Sequence, residues 1–113
     1  MSSSTQPLLQ REALAQLNEL QNGPATLRLI NHLFTIGLGG LIWGQQSWPL
    51  ALRLVGLLLC GIGLATCFAP LHECCHRTAF RSRRVNDTVA WMAGLLSFYN
   101  STYYRRYHQW HHR

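Results

Sequence analysis

Apolar residues run in long blocks along this chain instead of alternating with polar ones. Leu54 to Leu71 is eighteen residues without a formal charge. At about 1.5 Å per residue such a helix is roughly 27 Å long, close to the thickness of a bilayer's hydrocarbon core. An earlier uncharged run extends from Leu29 to Leu52, weakened at its ends by Asn31, His32, Gln45 and Gln46 and firm from Leu33 to Trp43. The pattern predicts a membrane helix over Leu27–Gly44, a short turn over Gln45–Pro49 with Trp43 and Trp48 at the water boundary, and a second span over Leu54–Leu71. Together these form a helical hairpin.

Ahead of the hairpin, leucines at 9, 14, 17 and 20 recur at roughly helical spacing between Pro7 and Gln21. They predict a short surface helix, with Asn22-Gly23-Pro24 as its stop. Met1 to Thr5 is polar and read as loose, and the start lacks the basic n-region and small-residue cleavage site of a signal peptide.

Beyond the hairpin, Ala69-Pro70 predicts a kink or a restart just ahead of His72, because proline restricts the residue before it. Arg77, Arg81, Arg83 and Arg84 then force the chain out of the lipid, since burying them at the bilayer centre costs roughly 10 kcal/mol or more. Val85 to Tyr99 turns apolar again. Its uncharged part, Thr88 to Ser101, is fourteen residues, a length that suits an interfacial or re-entrant segment and not a crossing. Asn100, Ser101 or Thr102 then caps a last helix. The fold class is therefore all-α, an integral membrane helical protein. Residues 1–24 form a cytosolic segment, 25–71 the hairpin and 72–113 a region of helices at the membrane surface.

Charge sets the orientation. All ten basic residues are arginine, and from His72 to Arg113 seven of them stand against Glu73 and Asp87, 7 − 2 = +5 of a formal net charge of +6. The positive-inside preference puts this half on the cytoplasmic side, and two crossings return the N-terminus there. Tyr103-Tyr104-Arg105-Arg106-Tyr107 interleaves aromatics and cations as nucleic-acid-binding segments do. Beside membrane spans such arginines are read as meeting anionic headgroups, at about 1 kcal/mol each, so no nucleic-acid partner is expected.

Of the four cysteines, Cys60 and Cys67 lie in a span, Cys74 and Cys75 on the cytoplasmic side, and no Cys-x-x-Cys pair occurs. That is no disulfide framework. Cys60 and Cys67 share a helical face with Gly56 and Gly63, a small-residue stripe for close helix packing, and the glycines at 37, 39, 40 and 44 suit the same use. Asn86-Asp87-Thr88 and Asn100-Ser101-Thr102 match glycosylation sequons, which on the cytoplasmic side are coincidence.

Five of the six histidines fall in two five-residue windows, His72 with His76, and His108 with His111 and His112. Residues i, i+3 and i+4 of a helix share a face, so each window presents its imidazoles together, with Tyr104 and Arg105 over His108 and Tyr107 under His111. Packed together without a metal, five imidazoles beside Arg105, Arg106 and Arg113 would repel whenever protonated. Neutral imidazole is the commonest protein ligand for zinc, copper, iron or nickel, so the two windows are read as metal boxes. His32, which lies apart, is read as a polar residue at the membrane interface.

An H-x-x-x-H box just after a membrane hairpin, followed by H-x-x-H-H, resembles the membrane fatty acid desaturase and hydroxylase superfamily. The likeness covers His72 to Arg113. It extends beyond the histidines to His72-Glu73-Cys74-Cys75-His76-Arg77-Thr78-Ala79-Phe80 and to Tyr104-Arg105-Arg106-Tyr107-His108-Gln109-Trp110-His111-His112. Bacterial desaturase-like enzymes resemble it most, with carotenoid hydroxylases and ketolases as near relatives.

The resemblance implies a membrane-embedded non-haem enzyme with two iron ions. It implies a lipid substrate such as an acyl-lipid or acyl-CoA, O₂, and electrons from a ferredoxin or cytochrome b5-type donor. His72, His76, His108, His111 and His112 would be iron ligands. Glu73 would either accept an N–H from a ligand imidazole or serve as a plain surface carboxylate. The family's third histidine box and second hairpin are absent from this sequence, so the chain is expected to be an N-terminal fragment, inactive alone.

Two readings of other classes stand beside this one. His72-Glu73-Cys74-Cys75-His76 also satisfies H-E-x-x-H, the zinc-binding helix of metalloproteases with Glu as general base. The boxes would alternatively hold a metal without catalysis.

Overall fold

The computed structural model describes residues 11–111, and within them it shows six helices and no strand. The expectation for Met1–Thr5, the first residues of the predicted surface helix, and His112 lie outside the described residues. The rest of that surface helix is present as α1 (Arg11–Leu17).

The next helix, α2 (Asn22–Gly44), starts five residues earlier than the predicted Leu27. Asn22-Gly23-Pro24, read from sequence as a stop, is instead its first turn. Proline is tolerated there because first-turn N–H groups have no partner within the helix. The turn falls at Gln45–Pro49 as predicted, and α3 (Leu50–Thr66) returns alongside α2. Arg53, which the predicted span excluded, lies inside α3 near the turn. Its Nε donates to Trp43 O at 3.2 Å and its guanidinium lies 4.9 Å over the Trp43 ring.

Glycines set how closely the hairpin closes. A Cβ on Gly39 would come within 2.5 Å of the Cys60 backbone nitrogen, one on Gly56 within 2.7 Å of the Ile42 side chain, and one on Gly63 within 2.6 Å of Ile36. The stripe containing Gly56, Cys60 and Gly63 is thus the contact face. Of the four glycines singled out on α2, Gly39 alone lies in it, while Gly37, Gly40 and Gly44 face open space.

The outer surface of the hairpin is apolar, with Leu27 69%, Phe34 64%, Leu41 67% and Leu58 64% exposed. So much uncovered leucine and phenylalanine is more than the surface of a water-soluble monomer usually carries. Two helical stretches, Ala13–Gly44 and Leu50–Cys75, are long and apolar enough to cross a membrane.

The second stretch is broken, as the proline predicted, but at Cys67, so the span ends at Thr66 and not at the predicted Leu71. Pro70 has no N–H to give the Thr66 carbonyl and its ring crowds that oxygen, so α3 ends at Thr66 and α4 (Phe68–Cys75) begins after Cys67. Pro70 then sits in the first turn of α4. The histidine at 72 is carried on this short helix.

The core lies beneath the hairpin, where Leu71, Cys74 and Cys75 of α4 meet Phe80 and then Val89, Ala90 and Ala93 of α5 (Arg83–Leu96). Asn86, fully buried, fastens the connecting loop. Its Nδ2 donates to Phe80 O at 2.6 Å and Ser82 O at 2.9 Å, and its Oδ1 accepts from Phe80 N at 3.2 Å. This side chain is the acceptor of the first sequon, and burial removes it from any such chemistry.

Helix α5 is 14 residues long, about 21 Å and too short to cross. Phe98 ends it in a left-handed conformation (φ 61°), which lets Tyr99 N donate back to Gly94 O at 2.7 Å. Only glycine fits at 94, since a Cβ would stand 2.7 Å from Tyr99 O. The reversal delivers Asn100, whose Oδ1 accepts from Tyr103 N at 2.9 Å and caps α6 (Ser101–His111).

Candidate metal centre

Two helices that are far apart in sequence bring three imidazoles together. His72 and His76 are one turn apart at the end of α4, and His108 reaches them from α6. Its Nε2 lies 2.8 Å from His76 Nε2 and 3.1 Å from His72 Nε2, and the ligand-capable nitrogens of all three fall within 4.8 Å. A ring N–H on His108 can point at only one of these neighbours. Two ligands about 2.1 Å from one cation stand roughly 3.0–3.4 Å apart, a spacing that the His72–His108 pair meets at 3.1 Å and that the His76–His108 pair, at 2.8 Å, reaches by a small opening. The donor set fits one metal ion.

Aromatic rings hold the imidazoles in place. Tyr104, one turn before His108, stacks on it with centroids 5.2 Å and planes 16° apart, as the i, i+4 spacing predicted. Phe68 packs edge-on against Tyr104 at 5.3 Å and lies 6.4 Å from His72. Burial pushes the Tyr104 phenol above its ordinary pKa, so the ring stays neutral against the cluster.

The other predicted residues are placed differently. His111 stacks with Tyr107 at 6.4 Å, as expected, and is exposed outside the three-histidine group. Glu73 Oε1 accepts from Arg28 Nη1 of α2 at 3.1 Å, an exposed ion pair. His32 Nδ1 meets Thr66 Oγ1 at 3.2 Å across the hairpin. Arg105, expected to stack over His108, turns to Asp87 instead, its Nη2 2.8 Å from Oδ1.

The pairing of Asp87 with Arg77 and Arg105 was not recognised from sequence. Arg77 follows His76 in a left-handed conformation (φ 59°), its N–H donating to Cys74 O at 3.0 Å while Thr78 N reaches Glu73 O at 3.5 Å. These bonds cap α4. The Arg77 side chain then grips Asp87, Nε to Oδ1 at 3.0 Å and Nη2 to Oδ2 at 3.1 Å. An Asn-Asp pair opening a helix after an arginine-rich loop was the available signal.

The family model for fatty acid desaturase matches residues 46–113, more than half of the chain and all of both boxes. The chain belongs to the fatty acid desaturase family. No curated protein and no solved structure matches it. The matched region holds both histidine windows and the second arm of the hairpin. A metalloprotease helix explains only the first box and needs Glu73 for hydrolysis, whereas here its carboxylate is paired with Arg28.

Proposed function

We propose that this chain carries the first two histidine boxes of a membrane desaturase that oxidises unactivated C–H bonds of an acyl chain, as acyl-lipid or acyl-CoA. The observation that carries the reading is the convergence of His108 with His72 and His76. These three would hold one iron ion, and His111 and His112 would contribute to a second. Two irons need more ligands than five imidazoles, and we assign the remainder to a further box outside this sequence. When bound, the di-iron centre supplies, with O₂ and electrons from a ferredoxin or cytochrome b5-type donor, the power to break the C–H bond.

The chain's own part is to orient and to exclude water. An apolar groove runs past Leu64, Phe68, Leu96 and Tyr99, and Phe68 and Tyr99 also line a second hollow bounded by Tyr103, Tyr104 and Tyr107. The two hollows share Phe68 and Tyr99, and Tyr104 in the second is the ring stacked on His108. An extended acyl chain suits such a groove. In this reading the N-terminus and both boxes lie on the cytoplasmic side, where soluble donors act.

The test is to produce the native gene product with its electron donor and follow acyl chains by mass spectrometry under O₂. A new double bond that vanishes in His108→Ala is expected. An oxidised carotenoid with unchanged acyl chains would redirect the reading to a hydroxylase or ketolase, and metal uptake without O₂ consumption would sink it.

A further inference from the structure

We infer that Asp87 is the positioning residue of the histidine cluster, one carboxylate that ties the end of α4 to the middle of α6 and so sets how the two boxes face each other. The inference rests on the metal-centre reading above. Arg77, held by both oxygens of Asp87, is the residue directly after His76. Arg105, held by Oδ1 at 2.8 Å, lies three residues before His108. The brace therefore grips each box one turn or less from a clustered imidazole.

Three observations raise this above an ordinary surface ion pair, which is usually worth little. First, α6 touches α4 and α5 only lightly, whereas α4 and α5 share the core, so beside the packing of Phe68 on Tyr104 the brace is one of the ties between α6 and the box on α4. Second, Arg77 caps α4 with its left-handed backbone (φ 59°), so the residue that Asp87 grips is itself fixed to the end of the box helix. Third, Arg105 is only 23% exposed in its side chain, and its Nε is buried without a hydrogen-bond partner among the described residues, leaving Asp87 as the carboxylate that holds it.

The brace has a firm base. Asp87 follows the buried Asn86, whose three hydrogen bonds to the Phe80–Ser82 loop fix the backbone from which the carboxylate projects. An amide at 87 keeps the shape, but offers one acceptor oxygen and turns an N–H₂ toward a guanidinium.

The experiment compares the full chain with Asp87→Asn and Asp87→Glu in lipid nanodiscs by two readouts. One is amide hydrogen exchange of the metal-free protein. The other is titration with Co²⁺, followed by its visible absorption. In Asp87→Asn, exchange across Ser101–His111 is expected to accelerate about tenfold with α2 and α3 unchanged, and Co²⁺ affinity to fall about 10–100-fold with an altered absorption envelope, the range for partners that orient ligands. Asp87→Glu, which keeps the charge on a longer arm, is expected to recover part of both.

Wild-type exchange in α6, or wild-type Co²⁺ affinity and spectrum, in Asp87→Asn would overturn the inference. If that variant fails to fold, Arg105→Gln, which cuts only the α6 arm, is read by the same criteria. If the wild-type chain takes up no Co²⁺, the metal-centre reading fails and exchange in α6 alone decides the brace.

Discussion

His108 Nε2 stands 2.8 Å from His76 Nε2, although 32 residues and a whole helix separate them in the chain. This contact joins the two boxes into one site. The ring of His108 is backed by Tyr104 on its own helix and faces α4 on the other side. Removing it leaves only the His72–His76 pair.

His108→Ala should therefore lower Co²⁺ or Zn²⁺ affinity by at least about 100-fold, the upper end of what loss of an orienting partner costs. His111→Ala should leave the first equivalent of metal within about threefold, because His111 lies outside the group. Competition against a chromophoric chelator measures both. Equal losses in the two variants would place His111 in the first site.

Pro70 decides where α4 begins. Pro70→Ala restores an N–H that can bond the Thr66 carbonyl, so α3 and α4 should fuse into one helix. Fusion rotates His72 and His76 relative to His108. The expected result is equal or higher thermal stability together with weaker metal binding, measured by circular dichroism and by the same titration. Unchanged metal affinity would show that the break does not set the site.

The hairpin offers a paired comparison on one helix. Gly39→Leu places side-chain atoms where even a Cβ would stand 2.5 Å from the Cys60 nitrogen, whereas Gly37→Leu and Gly40→Leu extend into open space. Overpacking of this kind costs about 1–3 kcal/mol or more. Gly39→Leu should lower the unfolding midpoint in detergent clearly, and the other two should not.

Acid should loosen the box region before the hairpin. Hydrogen bonds from Arg77 hold the Asp87 carboxyl below its ordinary range, against a smaller desolvation cost, with the charges of Arg105 and Arg77 adding. A depressed folded-state pKa contributes stability that is complete above the unfolded value of about 3.9 and lost as pH falls through the lower folded value. Protection of the α6 amides, taken relative to their intrinsic exchange rates, should fall below about pH 4 in the wild type and change less in Asp87→Asn. Because Asp87 is 40% exposed, the effect should shrink in high salt.

The sequence by itself determined the hairpin, the helix break that Pro70 causes, the short helix α5 and the helices that carry His72, His76, His108 and His111. Each of these depends on local chemistry: uncharged length, a missing N–H, i to i+4 spacing. It also carried the start of α2 wrongly, because Asn22-Gly23-Pro24 serves a helix start as well as a stop, and only packing tells which. The tertiary structure alone decided which imidazoles meet. His108 joins His72 and His76 because Phe98 reverses the chain after Gly94 and Asp87 links Arg77 with Arg105. Those contacts join residues on separate helices, whose mutual orientation no single segment's pattern encodes.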